Sequence, residues 1–417
     1  MDMPQPLSQP QRVILVAVDL GEYDVEVSLD ELQELASTAG AEVVGRLWQR
    51  RQEFDKATCI GAGRVAELRE YAKNLEAQLV VFDHELGASQ LRNLEREVGV
   101  PVIDRTMLIL DIFAQRAVTS EGKLQVELAQ QRYLLPRLAG LGESLSRLGG
   151  GIGTRGPGES KLESDRRHIR RRIQSLERKL AALSARRENM RARRKKTGQL
   201  IVAVVGYTNV GKSTLLNALT GAQVLSQDKL FATLDPTARA LALPDGREVL
   251  LIDTVGFIRR LPHHLIEAFK STLEVAATAD LILNVCDITS PQSDEQLRVS
   301  RQLLLELGLR DTPILTVYNK CDRLAALPEV FGRDTVLISA RTGMGFEDLL
   351  AAIARTLPPA QQQVRLLIPY ESGALLAELR REGKVLSEEY TDAGTRVVAL
   401  APKRLLYKFE GMLIGES

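Results

Sequence analysis

The sequence predicts an α/β chain in three folded parts: a small N-terminal α/β domain with a helical-hairpin stalk, a central doubly wound sheet around a glycine-rich loop, and a small C-terminal α+β domain. Three observations predict it. Short apolar runs alternate with amphipathic stretches at the start of the chain and again in its middle. Two leucine-spaced helical stretches flank a glycine-dense segment between them. Past Pro358 the order reads strand, helix, hairpin. The 417 residues suffice for two or three cores. The expected boundaries are a tail over 1–10, the first domain over 11–116, the stalk over 117–196, the central domain over 197–358 and the last domain over 359–417.

A hydrophobic fraction of 44% and a charged fraction of 26% are those of a soluble globular protein. The net charge of +1 conceals an asymmetry. Residues 155–196 carry 16 Lys and Arg against 5 Asp and Glu, a local +11 that leaves about −10 for the remainder, so a polyanionic partner is sought there. Cys59, Cys286 and Cys321 form an odd set without close spacing, which argues against disulfides and a Cys-rich zinc site and fits a reducing compartment. The first residues lack the basic-then-apolar pattern of a signal peptide, and no apolar run approaches a membrane span. A cytoplasmic location is expected.

In order along the chain, RVILVAV reads as a strand, and Ser28 with Glu31 reads as a capping box opening the helix SLDELQELASTAG. AEVVGRLW is a second strand and Gly61-Ala62-Gly63-Arg64 opens a second helix. AQLVVFD, SQLRNLEREVG and VPVIDR follow as strand, helix, strand. Gly61-x-Gly63 at a helix start could cradle a phosphate, with Arg64 assisting, but a lone G-x-G is more often a tight turn, so a second nucleotide site stays an open alternative.

Leu124, Leu128, Gln131, Leu135 and Leu138 are spaced alternately four and three residues apart, as are Ile169, Ile173, Leu176, Leu180 and Leu183. Each set makes an apolar seam on one helix face, and the economical arrangement is an antiparallel pair within one chain. Each seam lasts only about two heptads, too short for a self-standing coiled coil, so a monomer is expected. Pro136 is expected to kink or shorten the first helix. Between the helices, 148–163 is too rich in glycine to pack a core; it is either a solvated linker or a flexible tip with polar hooks. Arg155, Lys161, Arg166, Arg167, Arg170 and Arg171 are the candidate contacts to a nucleic-acid backbone, read through charge. Little aromatic interleaving points to structured RNA over stacked single strands.

In the central domain, QLIVAVVG is an apolar strand, a glycine-rich turn follows, and LLNALTG continues as a helix. Gly206, Gly211, Lys212 and Ser213 fit G-x-x-x-x-G-K-S, in which backbone N–H groups and a helix N-terminus receive a polyphosphate. Lys212 reaches the β and γ phosphates and the Ser213 hydroxyl ligates Mg²⁺. Tyr207, Thr208, Asn209, Val210 and Thr214 complete this loop. Asp253-Thr254-Val255-Gly256 ends the strand VLLI, placing Asp253 to hold Mg²⁺ through water and the Gly256 N–H to sense a γ-phosphate. Asn319-Lys320-Cys321-Asp322 ends the strand PILTVY, where the Asp322 carboxylate can accept from guanine N1–H and its 2-amino group, neither of which adenine offers. Ser339-Ala340, with Arg341 next, follows VLI, where a backbone N–H could meet guanine O6. Four such motifs in this order, each at a strand's carboxyl end, select GTP.

This constellation resembles the translation-factor-related P-loop GTPases, and LFATLDPT over 230–237 resembles the switch I of the Obg/HflX group. By that resemblance Phe231, Ala232, Thr233, Leu234 and Asp235 border the nucleotide and Thr233 is the second Mg²⁺ ligand, although spacing alone leaves Thr237 open. Lys212, Thr233 and Gly256 are then the expected catalytic set. The run GGIGTRGPGESKLESDRRHIRRRI, with these motifs after it and an α/β domain before it, is similar to the HflX family of ribosome-binding GTPases. The resemblance implies a stalk that enters the large ribosomal subunit, a tip loop near its rRNA, and the splitting of stalled or idle ribosomes under stress.

Two positions depart from the common GTPase pattern or extend it. Phe257 stands where many relatives place the glutamine that orients the attacking water, so slow hydrolysis is expected without the ribosome. Asn209 occupies the position at which some related GTPases coordinate K⁺; a loop-bracing amide is the equal alternative. His263 and His264 read as exposed residues of the segment after D-T-V-G. Against ribosome splitting stand two other readings: an RNA-binding assembly or anti-association factor switched by GTP, and an ATP-dependent helicase working through the first domain.

Overall fold

The computed structural model describes residues 10–138, 161–197, 199–221, 230–231, 237–260, 278–306, 308–309, 312–328, 332, 334–359 and 361–414. The chain divides into two compact units. The first comprises 1–182, 227–235 and 258–270; the second comprises 183–226, 236–257 and 271–417.

The first unit is built on a four-stranded sheet in the order β2-β1-β3-β4, parallel throughout, with β1 at Arg12–Asp19, β2 at Glu42–Arg50, β3 at Leu79–Phe82 and β4 at Val102–Asp104. Central β1 is buried on both faces, which explains its unbroken RVILVAV run. Helices α1 (Val25–Thr38), α2 (Ala62–Asn74) and α3 (Ala88–Val98) connect the strands.

The expected Ser28–Glu31 capping box is overturned. Asp24 caps α1, its side chain accepting from the N–H of Glu26 and Val27, and Ser28 lies one turn inside, its hydroxyl donating to Asp83 at 2.7 Å. Asp is at least as good a cap as Ser, and a buried carboxylate has claimed the serine. The strand expected over VPVIDR also ends sooner. Asp104 accepts from the Met107 N–H and thereby starts α4 (Arg105–Arg116), a helix the periodicity did not announce.

Thr119 caps α5 (Ser120–Arg137), and Pro136 falls in its last turn. The basic helix α6 runs from Lys161 to Thr197. Within its described side chains, Ile169, Ile173, Leu176 and Leu180 are less exposed than Arg167, Arg170 and Arg171. Arg132 on α5 pairs with Glu177 at 2.8 Å, and Glu127 with Arg172 at 2.5 Å.

Short described pieces of the middle of the sequence also belong to this unit. The Leu230 N–H donates to Thr38 Oγ1 at 3.2 Å, and Phe231, with φ +52°, meets the Phe113 ring edge-on at 4.7 Å between centroids. Arg260 stacks on Tyr23, 4.1 Å from its ring centroid, and donates to Ser28 and Asp83.

The second unit contains two sheets. The larger has the order β10-β9-β8-β5-β7-β6, from β5 (Leu200–Gly206), β6 (Thr237–Ala242), β7 (Glu248–Asp253), β8 (Leu281–Asp287), β9 (Ile314–Asn319) and β10 (Thr335–Leu337). All pairs are parallel except β6 with β7. Helices α7 (Lys212–Thr220) and α8 (Ser293–Glu306) lie between its strands in sequence, and α9 (Phe346–Thr356) follows β10. The smaller sheet, β11 (Gln361–Ile368), β12 (Lys384–Thr391) and β13 (Gly394–Pro402), is antiparallel in the order β11-β13-β12. Its core gathers Val364, Leu366, Val397 and Ala399 with Leu379 of α10 (Gly373–Glu382). The expected strand, helix and hairpin are all present there. No described helix is long and apolar enough to cross a membrane.

Candidate nucleotide-binding site

The parallel strands β5, β7, β8 and β9 end in Gly206, Asp253, Asp287 and Asn319, so four loops leave the sheet at one edge, beside the point where the strand order reverses about β5. The loop after β5 is shaped by glycine. Gly206 has φ +146°, and a Cβ on it would stand 2.2 Å from the Val285 carbonyl oxygen; Gly211 has φ +94°, and a Cβ there would stand 2.4 Å from Asn319 Nδ2. Both positions therefore exclude side chains. Lys212 is buried, and its ammonium donates to the carbonyls of Gly206 at 3.1 Å and Tyr207 at 2.7 Å, folding the side chain back over the loop. Burial pushes Lys212 down to about 8, opposed by the nearby Asp253.

The Ser213 hydroxyl donates to Asp253 Oδ2 at 2.7 Å, and Asp253 is completely buried. One hydroxyl and one carboxylate side by side form an all-oxygen donor pair of the kind Mg²⁺ takes, with room in its octahedron for water and phosphate oxygens. The residues fit that ion, which P-loop GTPases commonly use. Thr254 donates to the Val204 carbonyl at 2.8 Å and fixes the start of the loop. The next residues are stitched to the phosphate loop: Phe257 N–H donates to Gly206 O at 3.0 Å and Thr208 N–H to Phe257 O at 2.8 Å. At Gly256 a Cβ would lie 2.7 Å from Thr208 Cγ2 and 3.0 Å from Lys212 Nζ, which explains the glycine by close approach. The Phe257 ring, 2% exposed, lies in the core of the large sheet. It presents no polar group.

The third and fourth motifs brace the first. Asn319 Nδ2 donates to Val210 O at 2.8 Å, while its Oδ1 accepts from the Ala340 N–H at 2.8 Å, joining three loops through one amide. Lys320, with φ +68°, donates to Asn209 O at 2.9 Å. Asp322 is exposed in the short 3-10 turn Cys321–Arg323, and Ser339 Oγ accepts from the Thr342 N–H at 3.2 Å. Asn209 is exposed with φ +60° and Arg341 is exposed.

Of the expected switch residues, Phe231 belongs to the first unit and Thr237 pairs with Asp253 across β6 and β7. Ala232, Thr233, Leu234, Asp235, His263, His264 and Arg155 lie outside the described residues, as does the side chain of Lys161. Arg166 is half-buried and Arg167, Arg170 and Arg171 are exposed on α6. At the G-x-G of the first domain, the Gly61 N–H donates to Gln49 Oε1 at 2.9 Å, so this donor is already taken. The three cysteines are buried free thiols, and burial pushes Cys59 and Cys286 up to about 12. Sequence reasoning missed Asp287, discussed below, and the buried Asp83–Arg105–Glu31 cluster. A charged residue closing an apolar strand was the available signal for Asp83 and Asp287.

Three family models divide the chain between them. Residues 26–114 match the model described as GTP-binding GTPase N-terminal, 116–194 the GTP-binding GTPase middle region, and 201–320 the 50S ribosome-binding GTPase. A GTPase HflX of Caldanaerobacter subterraneus is 55% identical over 389 residues, 93% of this chain and 90% of that one. The chain belongs to the HflX family of GTPases. The HflX of Lacrimispora saccharolytica is 51% identical, over 95% of this chain and 94% of its own, and the HflX of Escherichia coli is 42% identical, over 88% and 87%. Membership of this family brings GTP hydrolysis with it.

Proposed function

We propose that this HflX-family GTPase binds the large ribosomal subunit through its basic helix and the glycine-rich segment before it, and that its GTP-bound form separates stalled or idle ribosomes under stress. The observation that carries the reading is the cationic face of α6, where Arg167, Arg170 and Arg171 are exposed beside an apolar seam, in a chain that matches a 50S ribosome-binding GTPase model. Such a face suits rRNA phosphates.

In this reading Gly206 to Thr214 hold the phosphates, Ser213 and Asp253 hold Mg²⁺, the latter through water, and Thr233 adds the second protein ligand. Gly256 N–H reports the γ-phosphate, and Asp322, with the backbone of Ser339, Ala340 and Arg341, selects guanine. Held there, Mg²⁺ would supply charge neutralisation of the phosphates. Lys212 adds a positive charge whose desolvation has already been met by the fold. The apolar Phe257 cannot order the attacking water, which supports slow hydrolysis by the free protein and stimulation by the large subunit. Asn209 is the candidate for a K⁺ ligand, tested by turnover in K⁺ against Na⁺ at equal ionic strength.

Sedimentation of intact ribosomes with a non-hydrolysable GTP analogue tests the main claim. Separation into subunits supports it; binding to intact particles without separation favours an anti-association or assembly factor. GTP turnover with and without large subunits checks the stimulation.

A further inference from the structure

Asp287 closes β8 beside Asn319, with which it is in register across the parallel pair. Its Oδ1 accepts from both the Thr289 N–H at 3.0 Å and the Thr289 hydroxyl at 2.7 Å, which fixes the plane of the carboxylate. Its Oδ2 lies 2.6 Å from Lys320 Nζ, with the two side chains 16% and 20% exposed. The same ammonium donates to Asn209 O in the phosphate loop at 2.9 Å. Burial pushes the Asp287 carboxyl up, but the hydrogen bonds and charge supplied by Lys320 and Thr289 outweigh it and hold the group below its ordinary range.

Both residues linked by this ammonium have left-handed backbone, Asn209 at φ +60° and Lys320 at φ +68°. Non-glycine residues persist there only where their surroundings over-determine them. Asn319 fixes one side of the Lys320 peptide through Val210 and Ala340, as described above. Its other side leads directly to Asp322. The Asp287 carboxylate is the one acidic partner among the described residues that holds the Lys320 side chain across the gap between the two loops.

We infer that Asp287 is a positioning residue for guanine nucleotides: acting through Lys320, it locks the base-reading loop after β9 to the phosphate loop after β5, and so controls how slowly nucleotide leaves. The inference rests on reading 319–322 as the guanine loop. Asp287 touches no nucleotide in this scheme. Without its charge Lys320 loses one of two fixed partners, both strained residues can relax, and Asp322 and the Asn209 peptide shift together. GDP and GTP are weakened alike, because the clamp does not see the γ-phosphate, and the preference for guanine over xanthine is retained because Asp322 itself is unchanged.

The test uses the full chain and stopped-flow release of a fluorescent GDP analogue. Asp287→Asn is expected to speed release by about tenfold or more, since loss of one member of a half-buried, hydrogen-bonded charge pair acts mainly on dissociation. With Lys320→Met already present, adding Asp287→Asn is expected to change release by less than about twofold, the signature of two residues acting as one unit. Thr289→Ala, which frees the carboxylate without removing it, gives a smaller acceleration and stands in should Asp287→Asn fail to fold. Unchanged release in the folded single variants, or an equal acceleration in both backgrounds, overturns the inference. Asp322→Asn is the control for the underlying reading: if it leaves guanine preference intact, the guanine-loop assignment has failed, a result distinct from failure of the Asp287 coupling.

Discussion

Arg105 Nη1 donates to Asp83 Oδ1 at 2.8 Å, and the two side chains are 3% and 0% exposed. The pair sits above the sheet of the first unit, where Arg105 also meets Glu31 and Asp83 also receives Arg260 and Ser28. Burial raises the Asp83 carboxyl, but Arg105 and Arg260 outweigh it and hold the group below the usual carboxylate range. Its contribution to stability is thus present above the ordinary Asp range and is lost as pH falls through the depressed value. Asp83→Asn leaves buried guanidinium charge uncompensated, so the protein should lose about 3–5 kcal/mol in urea denaturation. An unshifted midpoint contradicts this.

Asp111 on α4 behaves in the opposite sense. It is half-buried, and desolvation pushes its carboxyl up to about 6. The native chain then holds this proton more tightly than the unfolded chain, and stability declines as pH rises from the ordinary Asp value toward about 6. Asp111→Asn should stabilise the protein by about 1–3 kcal/mol at pH 7, taking the shift at ~1.4 kcal/mol per unit. The gain should vanish near pH 4, where the carboxyl is protonated in the fold. Thermal midpoints of both proteins at the two pH values decide it.

Gly256→Ala places a methyl group where 2.7 Å separates its position from Thr208 Cγ2. Overpacking of about 1–3 kcal/mol is expected, resolved by moving the loop off the phosphate site. GTP turnover should fall by at least about tenfold, equivalent to ~1.4 kcal/mol in the barrier, with GDP affinity less affected. Equal losses for GTP and GDP would show that the glycine serves packing alone.

Replacing Arg167, Arg170 and Arg171 with Gln should weaken binding to large subunits more at low salt than at high. If each contacts one phosphate, the slope of log affinity against log salt should become shallower by about 2–3 in total. Circular dichroism should be unchanged, since these side chains are exposed. An unaltered slope removes this face from the interface.

The candidate nucleotide site was legible because the residues within each motif lie close together in sequence and each motif ends an apolar strand. Gly206, Lys212, Asp253 and Asn319 could be picked out from spacing, and they lie at or just beyond the carboxyl ends of β5, β7 and β9. Less could be read where partners come from distant segments. Nothing near Ser28 announces that Asp83 will take its hydroxyl, and nothing near Asp287 announces Lys320. Helix α4 escaped notice because Leu108, Ile109, Leu110, Ile112 and Phe113 form a run too uniformly apolar to show a helical period. Strand β6 was hidden by its exposure: an edge strand with half its residues in water carries little apolar pattern.

The chain passes between its two compact units five times, at 182/183, 226/227, 235/236, 257/258 and 270/271. No single protease cut can release either unit whole. A fragment trimmed to 197–358 would carry Phe231, 2% exposed in the intact protein, without the Phe113 ring it meets. Such a fragment is expected to be stickier than its composition suggests, which light scattering of the trimmed and full chains at equal concentration would check.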